Sequence, residues 1–233
     1  LQRFPIKACW FMSSLQNPLG ASMSDAKKKQ LYALLKQHQV PMIEDDVYSE
    51  LYFSAKPPRP VKSFDIDGLV MHCGSFSKCL APGYRVGWVA AGRFAEQVSR
   101  LKLMTTISPS VPAQAALADY LQHGGYDRHL RRLRHALESQ QRAMLASAAR
   151  HFPRETRVSR PNGGYFLWFE FPERVDSLQL FQHALAQGIS LAPGPIFSAT
   201  QRFRNCARLN HGHPWEARSE QAMELLGRML KSF

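Results

Sequence analysis

Short apolar runs alternate with helical patterns through the first half of the chain. Ala8–Met12 reads as a strand, and Ser24–Gln37 as a helix. Ser24 stands where an N-cap is favoured, because a serine hydroxyl can accept from an orphan N–H of the first turn. Val40–Glu44, Leu69–Cys73 and Val86–Ala90 read as further strands. Strands separated by helical patterns imply an α/β class, a mostly parallel sheet with flanking helices. Lys56-Pro57-Pro58-Arg59-Pro60 is a loop on its prolines alone.

After about residue 92 the pattern turns helical, over 93–104, 111–122 and 126–148. The last of these carries Leu130, Leu133, Leu137, Met144 and Ala148 at near-heptad spacing. Its arginines (Arg128, Arg131, Arg132, Arg134) then fall on a solvated basic face rather than a nucleic-acid contact. A strand over 163–171, a helix over 177–187, short strands at 189–192 and 204–209 and a final helix from about Pro214 complete a smaller α+β C-terminal domain. The expected division is 1–120 and 121–233, inside a helical region and without a Ser/Gly-rich linker.

Composition bounds the function. With 233 residues and 45% hydrophobic content the chain can bury a large core. No run approaches the roughly 18 apolar residues of a membrane span, so no membrane partner is expected. Cys9, Cys73, Cys79 and Cys206 form no disulfide framework, which suits a reducing cytoplasm. Neither they nor the nine histidines show zinc spacing, and no metal site is expected. His211 and His213 read as surface-loop residues. The net charge of +12 permits acidic partners or nucleic acid without defining a site.

The densest chemistry lies around Lys78, in Gly74-Ser75-Phe76-Ser77-Lys78, followed by Leu80-Ala81-Pro82-Gly83-Tyr84-Arg85-Val86-Gly87-Trp88. Alone, a lysine in a serine-rich turn is an exposed residue. Beside two hydroxyls and an arginine it also suits an activated amine that forms a Schiff base with a phosphorylated aldehyde. The arginine fork can hold phosphate through two parallel charge-assisted bonds. Upstream, Glu44-Asp45-Asp46-Val47-Tyr48 ends an apolar run, and Asn17-Pro18-Leu19-Gly20 follows another.

In this order, Asn-Pro-x-Gly, Asp-x-x-Tyr, Ser-x-Ser-Lys and Arg, the chain resembles fold-type I pyridoxal-phosphate enzymes of the aminotransferase class I/II family along nearly its whole length. The resemblance implies pyridoxal 5'-phosphate as cofactor, attached to Lys78, which would also move a proton at the substrate's alpha carbon. It implies Asp45 at the pyridine nitrogen, since a carboxylate there favours the protonated ring. Asp45 rather than Asp46 has the plus-three spacing to Tyr48, and strand neighbours point to opposite faces. Tyr48 and Asn17 would bond the cofactor's 3-oxygen, and Ser75, Ser77 and Arg85 its phosphate. Arg208, in Arg208-Leu209-Asn210, would clamp a substrate carboxylate together with Asn17. Arg204 is the weaker choice for that role and reads as a solvated charge.

Family members carry a substantial region ahead of the Asn-Pro-x-Gly segment, with a glycine-rich turn that adds phosphate donors. Little chain precedes Asn17, so residues 1–120 are expected to form only part of the large cofactor-binding domain. The texture of the motifs most resembles the aminotransferase-like effector domain of a MocR-type regulator of the GntR family. That reading implies an amino acid or amine ligand, DNA bound through an N-terminal winged helix absent from this chain, and a cytoplasmic homodimer. The alternative is a free-standing aminotransferase acting on amino acids and 2-oxo acids.

Overall fold

The structure, a computed structural model, describes residues 4–233. It packs into two compact units. One comprises the chain through Gln16 together with Ala21–Leu133, and the other comprises Asn17–Gly20 with Arg134–Phe233.

In the first unit four strands lie side by side in chain order: β1 (Cys9–Phe11), β2 (Met42–Asp45), β3 (Val70–Ser75) and β4 (Gly87–Ala90). β1, β2 and β3 run parallel, whereas β4 runs antiparallel to β3. The connection between β3 and β4 explains the reversal. It curls through a 3-10 turn at Pro82–Tyr84 and holds no α-helix that could cross back over the sheet.

Helix α1 (Asp25–His38) begins as its sequence requires, with the Ser24 hydroxyl accepting from Lys27 N–H at 3.3 Å. It ends at Gln39 in the left-handed conformation, whose N–H bonds back to Leu35 and Lys36 carbonyls. Tyr32 and Leu35 of α1 pack with Val40, Met42, Val61 and Val70. Each such aliphatic side chain removed from water contributes about 1.5–3 kcal/mol.

Alternation along β2 sends Met42 and Glu44 inward, and both are fully buried. A buried carboxylate is tolerable only when hydrogen-bonded. Glu44 accepts from the Ser13 hydroxyl and from the N–H groups of Val61 at 2.7 Å and Lys62 at 2.9 Å. Buried Lys28 of α1 donates to Ser14 Oγ at 2.7 Å and to the Arg59 carbonyl at 2.6 Å. Together these bonds pin the Arg59–Lys62 segment beside the carboxyl end of β2.

Helices α2 (Ala95–Thr106), α3 (Val111–Gln122) and α4 (Gly125–His151) follow. The heptad stripe on α4 is buried at Leu130, Leu137, Met144 and Ala148, while Arg128, Arg131 and Arg132 are exposed.

The second unit carries an antiparallel sheet in the order β5 (Arg157–Val158), β6 (Phe166–Glu170), β8 (Cys206–Asn210), β7 (Ala192–Pro193). Its core joins Leu167, Phe169, Ala207 and Leu209 of the sheet to Leu180 of α5 (Ser177–Ala186) and Met223, Leu226 and Leu230 of α6 (Ala217–Lys231). Asp176 caps α5 by accepting from Leu178 and Gln179 N–H, and Glu216 and Ser219 form a reciprocal box at the start of α6. No helix among the described residues is long and apolar enough to cross a membrane.

Candidate functional site

The first unit gathers Asp45, Tyr48, Ser75, Ser77, Lys78 and Arg85 at the carboxyl ends of β2 and β3 and in the loops that follow them, where open α/β sheets place ligands. Asp45 closes β2 opposite Cys73 of β3. Its Oδ1 is buried and has no hydrogen-bond partner among the described residues. Asp46, one residue on, also has a buried Oδ1 without a partner among the described residues, but its Oδ2 pairs with His72 Nε2 at 2.8 Å, and the His72 ring meets Trp88 edge-on. Tyr48 is buried and opens the 3-10 turn Ser49–Leu51.

Beyond β3 the chain turns tightly, with Leu80 and Ala81 N–H both donating to the Phe76 carbonyl at 2.9 and 3.0 Å. Inside this turn Ser75 Oγ accepts from Ser77 N–H at 3.1 Å, and Arg85 Nη1 donates to Ser77 Oγ at 3.1 Å. Arg85 adopts the left-handed conformation, which swings its side chain back over the serines. Lys78 is exposed beside them. The turn depends on a bare position at Gly74, where an added Cβ would lie 2.4 Å from the Trp88 ring. Two hydroxyls and a guanidinium held this way form a cradle suited to a phosphate or a similar anion.

The second unit brings together Asn17 and Arg208. Arg208 Nη1 donates to Asn17 Oδ1 at 2.6 Å, and the guanidinium lies over the rings of Phe166 at 4.3 Å and Phe197 at 5.2 Å. Arg208 sits on β8, between Trp168 of β6 and Ala192 of β7. Arg204 is committed elsewhere, to Asp176 Oδ2 at 2.7 Å on the surface. That contact helps hold the Asp176 carboxyl below its ordinary value, with burial opposing it.

Two features escaped the sequence reading. The buried Lys28 and Glu44 network has no local signal, since both residue types are ordinarily exposed. His211 is buried, contrary to its expected place in a surface loop, while His213 is exposed. The His211 N–H bonds the Tyr165 carbonyl at 2.9 Å, extending the β6–β8 pairing by one residue and turning the ring inward. The apolar–polar alternation of Ala207-Arg208-Leu209-Asn210, carried one step further, was the signal available.

A mostly parallel sheet with helices, the motif loops at its carboxyl ends and an α+β C-terminal unit define an aminotransferase-type α/β fold. The chain belongs to the aminotransferase class I and II family, whose sequence pattern matches residues 6–214. It is 48% identical over 231 residues to the uncharacterized HTH-type transcriptional regulator YdcR of Escherichia coli (strain K12), covering 99% of this chain and 49% of that protein. It is 39% identical over 228 residues to the uncharacterized HTH-type transcriptional regulator YjiR of the same organism, covering 97% of this chain and 48% of that one. Among solved structures it resembles LysN, the alpha-aminoadipate aminotransferase of Thermus thermophilus, with a TM-score of 0.92 and 29% identity, over 99% of this chain and 60% of LysN. LysN was solved in complex with N-(5'-phosphopyridoxyl)-L-leucine. The chain thus spans about half the length of the curated relatives it matches.

Proposed function

We propose that this chain is the pyridoxal-phosphate-binding effector portion of a MocR-type transcriptional regulator, responding to an amino acid or amine. The observation that carries the cofactor assignment is the buried, unpartnered Oδ1 of Asp45. A buried acceptor without a donor is costly, and a protonated ring nitrogen is a donor of the right kind. The residues fit the group in other respects too. Ser75, Ser77 and Arg85 form a ready anion cradle, and Lys78 stands exposed beside it.

When bound, the cofactor supplies an electron sink for chemistry at the substrate's alpha carbon. The protein's own groups divide the remaining work. Asp45 would keep the ring nitrogen protonated, Ser75, Ser77 and Arg85 would hold the phosphate, and Tyr48 and Asn17 would serve the 3-oxygen. Lys78 would provide the amine of attachment and move the alpha proton. Arg208 offers a planar fork to a ligand carboxylate, a geometry that lysine cannot reproduce.

The regulatory reading is favoured by the 48% and 39% identities to HTH-type regulators, against 29% to the enzyme LysN. The DNA contact and the homodimer are assigned to the complete protein by the same likeness. A free-standing aminotransferase is the second reading, and the hydrogen bond between Arg208 and Asn17 speaks for it, since it holds a guanidinium suited to a substrate carboxylate. Operator-fragment retardation by the full-length protein, with and without pyridoxal phosphate and candidate amino acids, decides between them. A ligand-dependent shift supports the regulator. Efficient transamination with no DNA binding supports the enzyme.

A further inference from the structure

Successive side chains of β8 point to opposite faces of its sheet. Arg208 and Asn210 share one face. Ala207 and Leu209 share the other, and His211 continues on their side, because its N–H prolongs the ladder to Tyr165. There the imidazole is 2% exposed, and neither ring nitrogen has a hydrogen-bond partner among the described residues. Burial pushes the ring down to about 4, although its own backbone and the Leu137 carbonyl, which falls outside hydrogen-bond geometry, pull the other way. His211 is therefore neutral at pH 7 and offers one N–H donor and one lone-pair acceptor.

The ring lines a cavity of about 530 Å³, walled by Met144, Leu209, Trp215, Met223 and Leu226, with Arg208 and Asn210 also at its lining. Small-molecule sites commonly measure about 300–1,000 Å³ and combine apolar walls with a few polar groups. The apolar part of the wall favours an uncharged ring, and the two methionines suit an aromatic one, since thioethers make favourable contacts with ring edges. Ser219 adds a hydroxyl at the lining.

We propose that this cavity is a ligand site of the second unit for an uncharged aromatic molecule bearing one hydroxyl or ring N–H that bonds His211. The inference does not depend on the cofactor assignment, because every residue it uses lies in the second unit.

The test is calorimetric titration of the complete protein with phenol and with indole, alongside nitrogen-15 spectra of its histidine rings. The expected result is saturable one-to-one binding of at least one probe, with the His211 ring signals shifting in step. His211→Phe should weaken that binding at least tenfold. Ala222→Trp, which adds bulk to the lining, should abolish it. Lys78→Ala should leave it within twofold. The proposal is overturned if neither probe saturates, if both cavity variants bind as before, or if Lys78→Ala abolishes binding. Should a cavity variant fail to fold, the unmodified protein decides: His211 ring signals that stay fixed at saturating probe also overturn it.

Discussion

Asp45 and Asp46 are adjacent carboxylates with different surroundings. Each keeps one buried oxygen without a donor, but the other oxygen of Asp46 is committed to His72 at 2.8 Å. Asp45→Ala should therefore weaken pyridoxal phosphate binding by about 3 kcal/mol or more, the order expected for one partner of a buried charge pair, and leave the melting temperature nearly unchanged. Asp46→Ala should do the reverse. It strips the acceptor from His72 and should cost about 1–3 kcal/mol of stability with a smaller effect on affinity. Parallel cofactor titrations and thermal melts of the two variants check this, and a larger affinity loss in Asp46→Ala would mean that the wrong aspartate has been assigned to the ring. Arg208→Lys separates ligand from cofactor. The charge stays but the fork is lost, so amino acid binding to the loaded protein should weaken about tenfold or more while cofactor attachment at Lys78 is preserved. Equal losses in both would assign Arg208 a structural part.

Among the elements, β3 and β4 pair with Gly74 directly opposite Trp88. Gly74→Ala would drive a methyl into Trp88, and overpacking of this kind costs about 1–3 kcal/mol. The melting temperature should fall, and the near-ultraviolet signal of the tryptophans should change with it. In the second unit α4 and α6 are tied by Glu220, which accepts from Arg150 at 2.7 Å, His151 at 2.8 Å and Ser147 at 3.0 Å. Arg150 first and His151 next pull the Glu220 carboxyl down to about 2, with burial opposing them. A depressed carboxylate lends stability that is fully present above its unfolded value, near 4.3, and fades as pH falls through the folded one. Acid melts of Glu220→Gln should therefore run shallower than those of the unmodified protein between about pH 4 and 2, and parallel curves would refute the tie. Most of these elements were legible in the sequence, because caps such as Ser24 and alternating runs such as Ala207–Asn210 are local signals. The antiparallel direction of β4 was not, since direction is set by what the chain does between strands. The candidate site residues were singled out only through their order along the chain. No pattern announced that Lys28 and Glu44 would be buried, because their burial depends on partners far away in sequence, and only the β8 alternation carried one residue further pointed to burial of His211.

At the scale of the molecule, the cradle in the first unit offers a phosphate two hydroxyls and one guanidinium. Much apolar surface in the same unit remains in water: Leu101, Leu103, Met104 and Ile107 are all exposed, Met104 at 78%. Large exposed apolar patches mark surfaces made to be covered. The matched regulators are about twice as long as their alignment to this chain, and the prediction is that such additional length supplies further phosphate donors and further cover. Each charge-assisted donor is worth roughly 1.5–3 kcal/mol, and each 1.4 kcal/mol is a factor of about ten in affinity. Two such donors correspond to about a hundredfold or more. Residues 1–233 prepared alone should thus bind pyridoxal phosphate at least a hundredfold more weakly than the full-length protein. In the full-length protein, hydrogen exchange should also be slower along Ala95–Thr106. Titration of both preparations under one buffer makes the comparison. Equal affinities would show that the cradle, Lys78 and Asp45 suffice by themselves, and that the additional length serves some purpose other than the cofactor.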